Sequence, residues 1–283
     1  MQAQHERSDS TLHSTRILAG VLLAAFAVHA WAQAPLHAPA SPMVAARVPG
    51  YLEPAERPDS VLLVPPPPAA DSAAHEADLE VYRSMRRWRD TPRWRLAAAD
   101  ANVGFPHAAG TFSCALGLPI LESTMPKLYR VLQRSLVDAG QSTLAAKDKY
   151  QRERPFALFD DPICVPDDVA VLRRNGGYPS GHASAGWAWA LILTEIAPER
   201  AGPLLRRGME FGQSRVVCGV HWQSDIDSAR LVGAAVYARL HGDAEFRADM
   251  AAARDEYARI RAAGTSTAPA CAEEHAALGP VSP

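Results

Sequence analysis

Three stretches of this chain carry side chains whose types and spacing could act on an anion. The first is Tyr178-Pro179-Ser180-Gly181-His182, directly before an apolar run that begins at Ala183. A serine there can cap a helix, and the free N–H groups of Gly181 and His182 then point outward, which makes an anion site. Pro179 fixes the approach of the chain, and Gly181 removes a side chain that would hold an oxygen away from the backbone. Alone, the same residues describe an ordinary capped helix with a surface histidine.

The second stretch runs from Ser214-Arg215 to His221 and Asp225. His221 and Asp225 are four residues apart, a spacing that lets them face each other on a helical turn. A carboxylate that takes the proton of one imidazole nitrogen fixes the tautomer and frees the other lone pair, as a nucleophilic or basic histidine requires. An isolated pair of this kind is more often a surface ion pair. The third stretch, Lys147 to Arg154-Pro155, is a charge-rich helix end running into a proline, and alone it reads as a solvated face.

Their combination separates these readings. Lys147-x6-Arg154-Pro155, Pro179-Ser-Gly-His182 and Ser214-Arg-x5-His221-x3-Asp225 follow one another in one chain and match eleven positions together. In that content and spacing the sequence resembles the type 2 phosphatidic acid phosphatase and vanadium haloperoxidase superfamily. Val64-Pro-Pro-Pro-Pro-Ala-Ala-Asp-Ser72, Asn175-Gly-Gly-Tyr-Pro-Ser-Gly-His182 and Cys218-Gly-Val-His-Trp-Gln-Ser-Asp225 are similar to the class A bacterial non-specific acid phosphatases, a likeness that runs from about Leu62 to about Tyr257.

The resemblance implies a haloperoxidase-like helical bundle and metal-independent hydrolysis of phosphomonoesters, with phosphotransfer to alcohols as an added activity. It makes His221 the nucleophile that becomes a phosphohistidine, Asp225 its orienter, and His182 the acid that protonates the leaving group. Lys147, Arg154 and Arg215, with Ser180 and Gly181, would hold the phosphoryl oxygens. The acid role of His182 and the gathering of three separated cations rest on the resemblance alone. Gly177 and Ala183 stand where related chains commonly have Ser and Thr, which leaves fine substrate preference open.

No cofactor is expected. Two Arg and one Lys can neutralise a phosphoryl group in transfer as magnesium does elsewhere, and the sequence holds no HExxH, EF-hand loop or ligand-spaced cluster. The same cradle would hold vanadate, so a vanadate-dependent haloperoxidase is one alternative. An exported phosphate-binding module is another. A two-histidine mechanism predicts a bell-shaped pH dependence.

The elements that must position these residues read as helices. Residues 97–103, 126–139, 143–152, 184–196, 203–212 and 224–240 favour helix between Gly, Pro and Asn breaks, and Asp71-Ser72 can cap another that carries Leu79, Tyr82 and Met85. Period-two alternation is almost absent and no long repeat occurs, so a single all-α domain of about 200 residues is expected. Residues 183–194 are apolar on nearly every side, which in a globular protein places that helix at the bundle centre. Residues 231–237 are similar, with Gly233 small enough for close approach, giving two central apolar helices that pack together. Val61 to Val64 leads into Pro65–Pro68, a polyproline segment expected to lie over the domain surface.

Composition agrees. Of 283 residues 48% are apolar and 21% charged, and 29 Lys and Arg face 31 Asp and Glu. That excludes a collagen, a coiled coil or a disordered chain, and a net charge of −2 gives no general attraction for nucleic acid. The partners expected are small phosphomonoesters and inorganic phosphate, with no nucleic acid, no membrane span, and a second copy of the chain in a homo-oligomer. Ile17 to Val28 is too short to span a bilayer, which needs about 20 residues, and Arg16 and Ala30-Trp31-Ala32 flank it as in a cleavable signal peptide. The expected layout is a signal peptide over 1–32, a Pro/Ala-rich arm over 33–60, the helical phosphatase domain over 61–262 and a tail over 263–283, in the periplasm. Four cysteines in an oxidising compartment allow up to two disulfides among three possible pairings.

Overall fold

Helix-forming runs broken by Pro, Gly and Asn give fourteen α-helices and no β-strand among the described residues, 48–264 and 269–279, of the computed structural model. They are α1 Ser60–Leu63, α2 Ala73–Met85, α3 Pro92–Asp100, α4 His107–Gly110, α5 Ser113–Leu116, α6 Pro126–Gln141 and α7 Leu144–Tyr150, followed by α8 Pro155–Phe159, α9 Val169–Leu172, α10 Gly181–Ile196, α11 Ala201–Cys218, α12 Gln223–Leu240, α13 Ala244–Ala263 and α14 Ala272–Leu278. The all-α bundle matches expectation. The signal peptide over 1–32 and residues 33–47 of the arm lie outside the described residues.

α10 packs against α6, α11 and α12, and this explains its nearly uniform apolar sequence. Close approach is built in by glycine. A Cβ on Gly186 would lie 2.2 Å from Phe211 Cδ1 of α11, and one on Gly233 of α12 would lie 2.4 Å from the Ser184 carbonyl oxygen. On the α6 side, Trp189 Nε1 donates to the Leu132 carbonyl at 2.9 Å and Ser184 Oγ to that of Ala139 at 3.1 Å. α12 is less central than its apolar segment implies, because Leu231 points outward and is 55% exposed.

α13 was not foreseen. Asp243 caps it by accepting from Phe246 N at 2.7 Å, and Phe246, Met250, Ala253 and Tyr257 form its buried stripe. Its buried Glu256 accepts from Lys127 N and Leu128 N, both at 3.1 Å, which satisfies the open N-terminus of α6.

The folded part extends past both expected borders. Tyr51 and Leu52, placed in the extended arm, are buried in the main core, and their N–H groups donate to the buried Asp138 carboxylate at 2.7 and 3.2 Å. At the other end the expected tail folds as α14, tied by a Cys114–Cys271 disulfide and by Arg207 Nε donating to Glu274 at 2.9 Å. The second disulfide is Cys164–Cys218. The polyproline segment does lie on the domain, where the Pro65 carbonyl accepts from the Tyr178 hydroxyl at 2.7 Å.

Candidate active site

The position of His221 follows from how α11 ends. Gly219 turns the chain with a left-handed backbone (φ 89°), and Arg86 Nη2 donates to the Val216 and Val217 carbonyls at 2.9 and 2.7 Å. A Cβ on Gly219 would come within 2.5 Å of Arg86 Nη1, so glycine is needed for both conformation and space. The Cys164–Cys218 disulfide anchors the same turn, with Cys164 N donating to the Cys218 carbonyl at 3.2 Å.

His221 then stands buried ahead of α12, and Asp225, in the first turn of that helix, bends back to meet it. Asp225 Oδ2 lies 3.0 Å from His221 Nδ1 and also accepts from Trp222 N at 2.9 Å, the reach-back of a capping carboxylate. The pair forms across a helix start and not along a helical turn, as the spacing alone had implied. On its other side, His221 Nε2 lies 2.9 Å from Arg154 Nη1. A guanidinium only donates and an ionised carboxylate only accepts, so the proton sits on Nδ1 and the lone pair on Nε2. Burial, reinforced by Arg154, Lys147, Arg215 and His182, holds this imidazole well below its ordinary range and therefore neutral. Burial pushes the Asp225 carboxyl up to about 6, against the downward pull of Arg152, the Trp222 N–H and Lys147.

Ser180 caps α10, its Oγ accepting from Ala183 N at 3.3 Å, while its own N–H donates to the Asp225 carbonyl at 3.1 Å. The starts of α10 and α12 are thereby locked together. Gly181 and His182 follow, half-buried, at the open side of this junction. His182 Nε2 lies 3.0 Å from the Ala101 carbonyl at the end of α3. A carbonyl only accepts, so Nε2 carries hydrogen and Nδ1 is the nitrogen left to exchange a proton. Burial first, then Arg215, Arg154 and Lys147, lower this imidazole to about 3.

The three cations are buried, and for Lys147 and Arg154 this overturns the solvated face that their stretch alone suggested. Lys147 Nζ donates to the Gly176 carbonyl at 2.8 Å. Arg154 is held by the carbonyls of Leu172, Asn175 and Val220 at 3.1, 3.1 and 2.9 Å. Arg215 has buried Nε and Nη1 atoms with no hydrogen-bond partner. Burial lowers both arginines to about 10 and Lys147 well below its usual range, with Arg154 adding to the effect on Lys147 and Arg215. All three charges act on both imidazoles, and His182 acts on His221. The eight residues picked from the sequence therefore meet in one place. Burying like charges with unpaired donors is costly, and an oxyanion of two negative charges would relieve that cost.

Sequence reasoning missed what stands behind these groups. Arg152 Nη1 donates to Asp225 Oδ1 at 2.6 Å, and Nη2 donates to Asp78 at 2.8 Å. Arg152 lay inside the stretch read as solvated, and nothing in the local pattern marks it as buried. Ser214, in the stretch that ends at Asp225, is buried and donates to Asp100 Oδ2 at 2.5 Å. Arg207 grips the same carboxylate, and Arg93 Nη1 donates to Ser214 Oγ at 2.8 Å. This buried knot joins α3 to α11 and holds the Ala101 carbonyl against His182. Among the described residues no group of three His, Cys, Asp or Glu could hold a metal ion.

Three buried cations at the head of α10, with one histidine backed by a carboxylate and another by a carbonyl, have the charge and donors that a phosphoryl group needs. Residues 131–246, which contain all eight, match the PAP2 superfamily. The chain is 43% identical over 212 residues to a non-specific acid phosphatase of Providencia stuartii, covering 75% of this chain and 86% of that one. It is 44% identical over 207 residues to a non-specific acid phosphatase of Salmonella typhimurium (73% and 83%), and 38% over 203 residues to an acid phosphatase of Zymomonas mobilis (72% and 77%). The chain belongs to the PAP2 superfamily. Within it, the chain is a member of the class A bacterial non-specific acid phosphatases.

Proposed function

We infer that this acid phosphatase hydrolyses phosphomonoesters through a phosphohistidine on His221. The observation that carries the reading is the arrangement of His221, with Nδ1 on Asp225 and its Nε2 lone pair in reach of Arg154, beside an Arg215 whose donors lack partners. Nε2 attacks phosphorus, the P–N bond forms as the ester P–O bond breaks, and the departing alkoxide takes the proton from His182 Nδ1. Lys147, Arg154 and Arg215, with the Gly181 and His182 N–H groups at the head of α10, balance charge on the equatorial oxygens. Water then attacks phosphorus from the vacated side and gives its proton to His182. The P–N bond breaks, and His221 returns neutral. An alcohol in place of that water gives phosphotransfer.

Three like charges in the pocket repel a divalent cation and do the neutralising work themselves, which supports a reaction without metal or other cofactor. A periplasmic location is supported by the signal-like residues 1–32 and by two disulfides, which form in oxidising compartments. A homo-oligomer is supported by Leu62 and Leu63 on α1 and Leu231 on α12, exposed on two helices that touch; sedimentation at micromolar concentration tests it. The reaction itself is tested by quenching turnover of p-nitrophenyl phosphate in alkali and mapping the protein by mass spectrometry. A phosphorylated His221 is expected, and turnover by His221→Ala near the wild-type rate would refute the scheme.

A further inference from the structure

Behind Asp225 lies a second buried layer that touches neither histidine. Asp225 presents Oδ2 to His221 Nδ1 and Oδ1 to Arg152 Nη1, at 3.0 and 2.6 Å, so the carboxylate stands between them. Arg152 Nη1 also donates to Ser224 Oγ at 2.7 Å and Nη2 to Asp78 Oδ2 at 2.8 Å. Asp78, from α2, accepts in turn from Ser224 N at 2.9 Å and Ser224 Oγ at 2.5 Å. The three charged side chains Asp78, Arg152 and Asp225 are 3%, 8% and 0% exposed. The Arg152 guanidinium sits between the Tyr178 and Trp222 rings, 5.9 and 5.5 Å from their centroids.

We propose that Arg152 is a positioning residue for this reaction: held in place by Asp78, it keeps the Asp225 carboxylate charged and aimed at His221. This rests on the reading of His221 as nucleophile and Asp225 as its orienter. The physical need is plain. A carboxylate removed from water drifts toward its neutral form, and a neutral Asp225 no longer stabilises positive charge on the imidazole as it bonds to phosphorus. The charged groups facing Asp225 are Arg152 and Lys147 from α7 and the chain after it, Arg154 ahead of α8, His221, Asp78 of α2, and the Tyr178 hydroxyl group. Lys147 and Arg154 serve the phosphoryl oxygens and are shared with the substrate. Among the described residues, Arg152 is the Lys or Arg that hydrogen-bonds Asp225, and its other bonds run to Ser224 and Asp78 and to neither histidine. After burial, it is the largest influence on the Asp225 carboxyl, and it acts downward.

Asp78 gives the idea a sign. It shares Arg152 with Asp225, so two carboxylates divide one guanidinium. Removing the guanidinium charge should make Asp225 easier to protonate, while removing the Asp78 charge with its shape retained should make it harder. A role limited to packing predicts no such opposition.

The test is the pH profile of kcat for p-nitrophenyl phosphate in the full chain and in Arg152→Gln, Arg152→Lys and Asp78→Asn, with phosphohistidine trapping in each. Arg152→Gln should lower kcat at least tenfold and move the acid limb up by about one pH unit or more, since an opposite charge at this range lowers a carboxyl by one to three. Arg152→Lys should restore the limb, and Asp78→Asn should move it down. An acid limb unmoved in Arg152→Gln, with kcat reduced or not, overturns the proposal. If Arg152→Gln does not fold, Asp78→Asn decides: a limb moved down supports the proposal, and a limb unmoved or moved up overturns it. Absence of phosphohistidine in the unsubstituted protein defeats the underlying reading instead, and so separates the two failures.

Discussion

Arg154 Nη1 stands 2.9 Å from His221 Nε2, the nitrogen that attacks phosphorus in the proposed reaction. The lone pair of the proposed nucleophile is therefore engaged by the group that, in the same proposal, holds a phosphoryl oxygen. In the proposed reaction, substrate entry would transfer that donor from nitrogen to oxygen and free the lone pair in the same event. The guanidinium stays in place because its remaining N–H groups are fixed on the Leu172, Asn175 and Val220 carbonyls.

A lysine cannot hold those carbonyls and a phosphoryl oxygen together. Arg154→Lys should lower kcat/KM by about 10²–10³-fold, the size of effect seen when one preorganised donor is lost. Arg154→Ala should in addition cost about 1–3 kcal/mol of stability, because buried carbonyls lose a partner. Steady-state kinetics and urea unfolding read the two effects. Full activity in Arg154→Lys would show that the forked geometry is not used.

The pH dependence follows from His182. Burial and the three cations lower it to about 3, so without a bound anion His182 lacks the acid proton above roughly pH 4. A bound dianion reverses the local sign and favours the imidazolium. The proton then arrives with the substrate, as the monoanion of an ester whose second pKa is about 6. We expect kcat/KM to fall above about pH 6 and the limb to follow the ester's own second pKa when esters are varied. His182→Ala should cost alkyl phosphates far more than p-nitrophenyl phosphate, whose leaving group departs without a proton. Equal losses on both would remove His182 from the acid role.

Much of the site was legible because its chemistry is written in contiguous motifs. Ser180 does cap α10, and that helix is apolar throughout because it is surrounded. What stayed hidden depends on long-range pairing. Lys147, Arg152 and Arg154 look like a solvated run, and partners distant in sequence make them buried: the Gly176 carbonyl for Lys147, Asp78 and Asp225 for Arg152, and the Leu172, Asn175 and Val220 carbonyls for Arg154. Ser214 and Asp100 meet across 114 positions. α13 is different: Phe246, Met250, Ala253 and Tyr257 keep helical spacing, and Asp243 stands at the cap, so its signal was available in the chain. The packed Tyr51 and Leu52 carried none, because two apolar residues in a Pro-rich stretch have no period to read.

Arg215 sets stability against function. Its Nε and Nη1 are buried without partners beside two other cations, a cost that a bound phosphate would relieve in the proposed reading. Arg215→Met keeps most of the volume and removes the charge. The substitution should raise the unfolding midpoint of the phosphate-free protein and lower kcat/KM at least about 10³-fold. Inorganic phosphate at 100 times its Kd should stabilise the unsubstituted protein by about 2.7 kcal/mol and the variant hardly at all. Thermal melts with and without phosphate check both halves. A variant less stable than its parent in the absence of phosphate would mean that Arg215 has a structural partner of real value.

The two disulfides should separate in the same way. Cys164–Cys218 closes a span of 54 positions and anchors the turn that delivers His221, whereas Cys114–Cys271 closes 157 and ties down α14. Loop closure alone gives the first about 4 kcal/mol and the second about 5 kcal/mol. By stability alone, losing the second would be the graver change. For catalysis the order reverses. Without Cys164–Cys218 the Gly219 turn keeps only hydrogen bonds, among them those from Arg86 and from Cys164 N, so Cys164→Ser with Cys218→Ser should lower kcat of the folded protein by tenfold or more. The Ala101 carbonyl is fixed by the Asp100, Ser214 and Arg207 knot even when α14 is loosened. Cys114→Ser with Cys271→Ser should therefore leave kcat within about threefold at 25 °C while lowering the urea midpoint. Kinetics on protein shown to be folded, beside unfolding curves, decide the matter. A larger kcat loss from the Cys114 pair would place α14, and not the Gly219 turn, in control of the histidines.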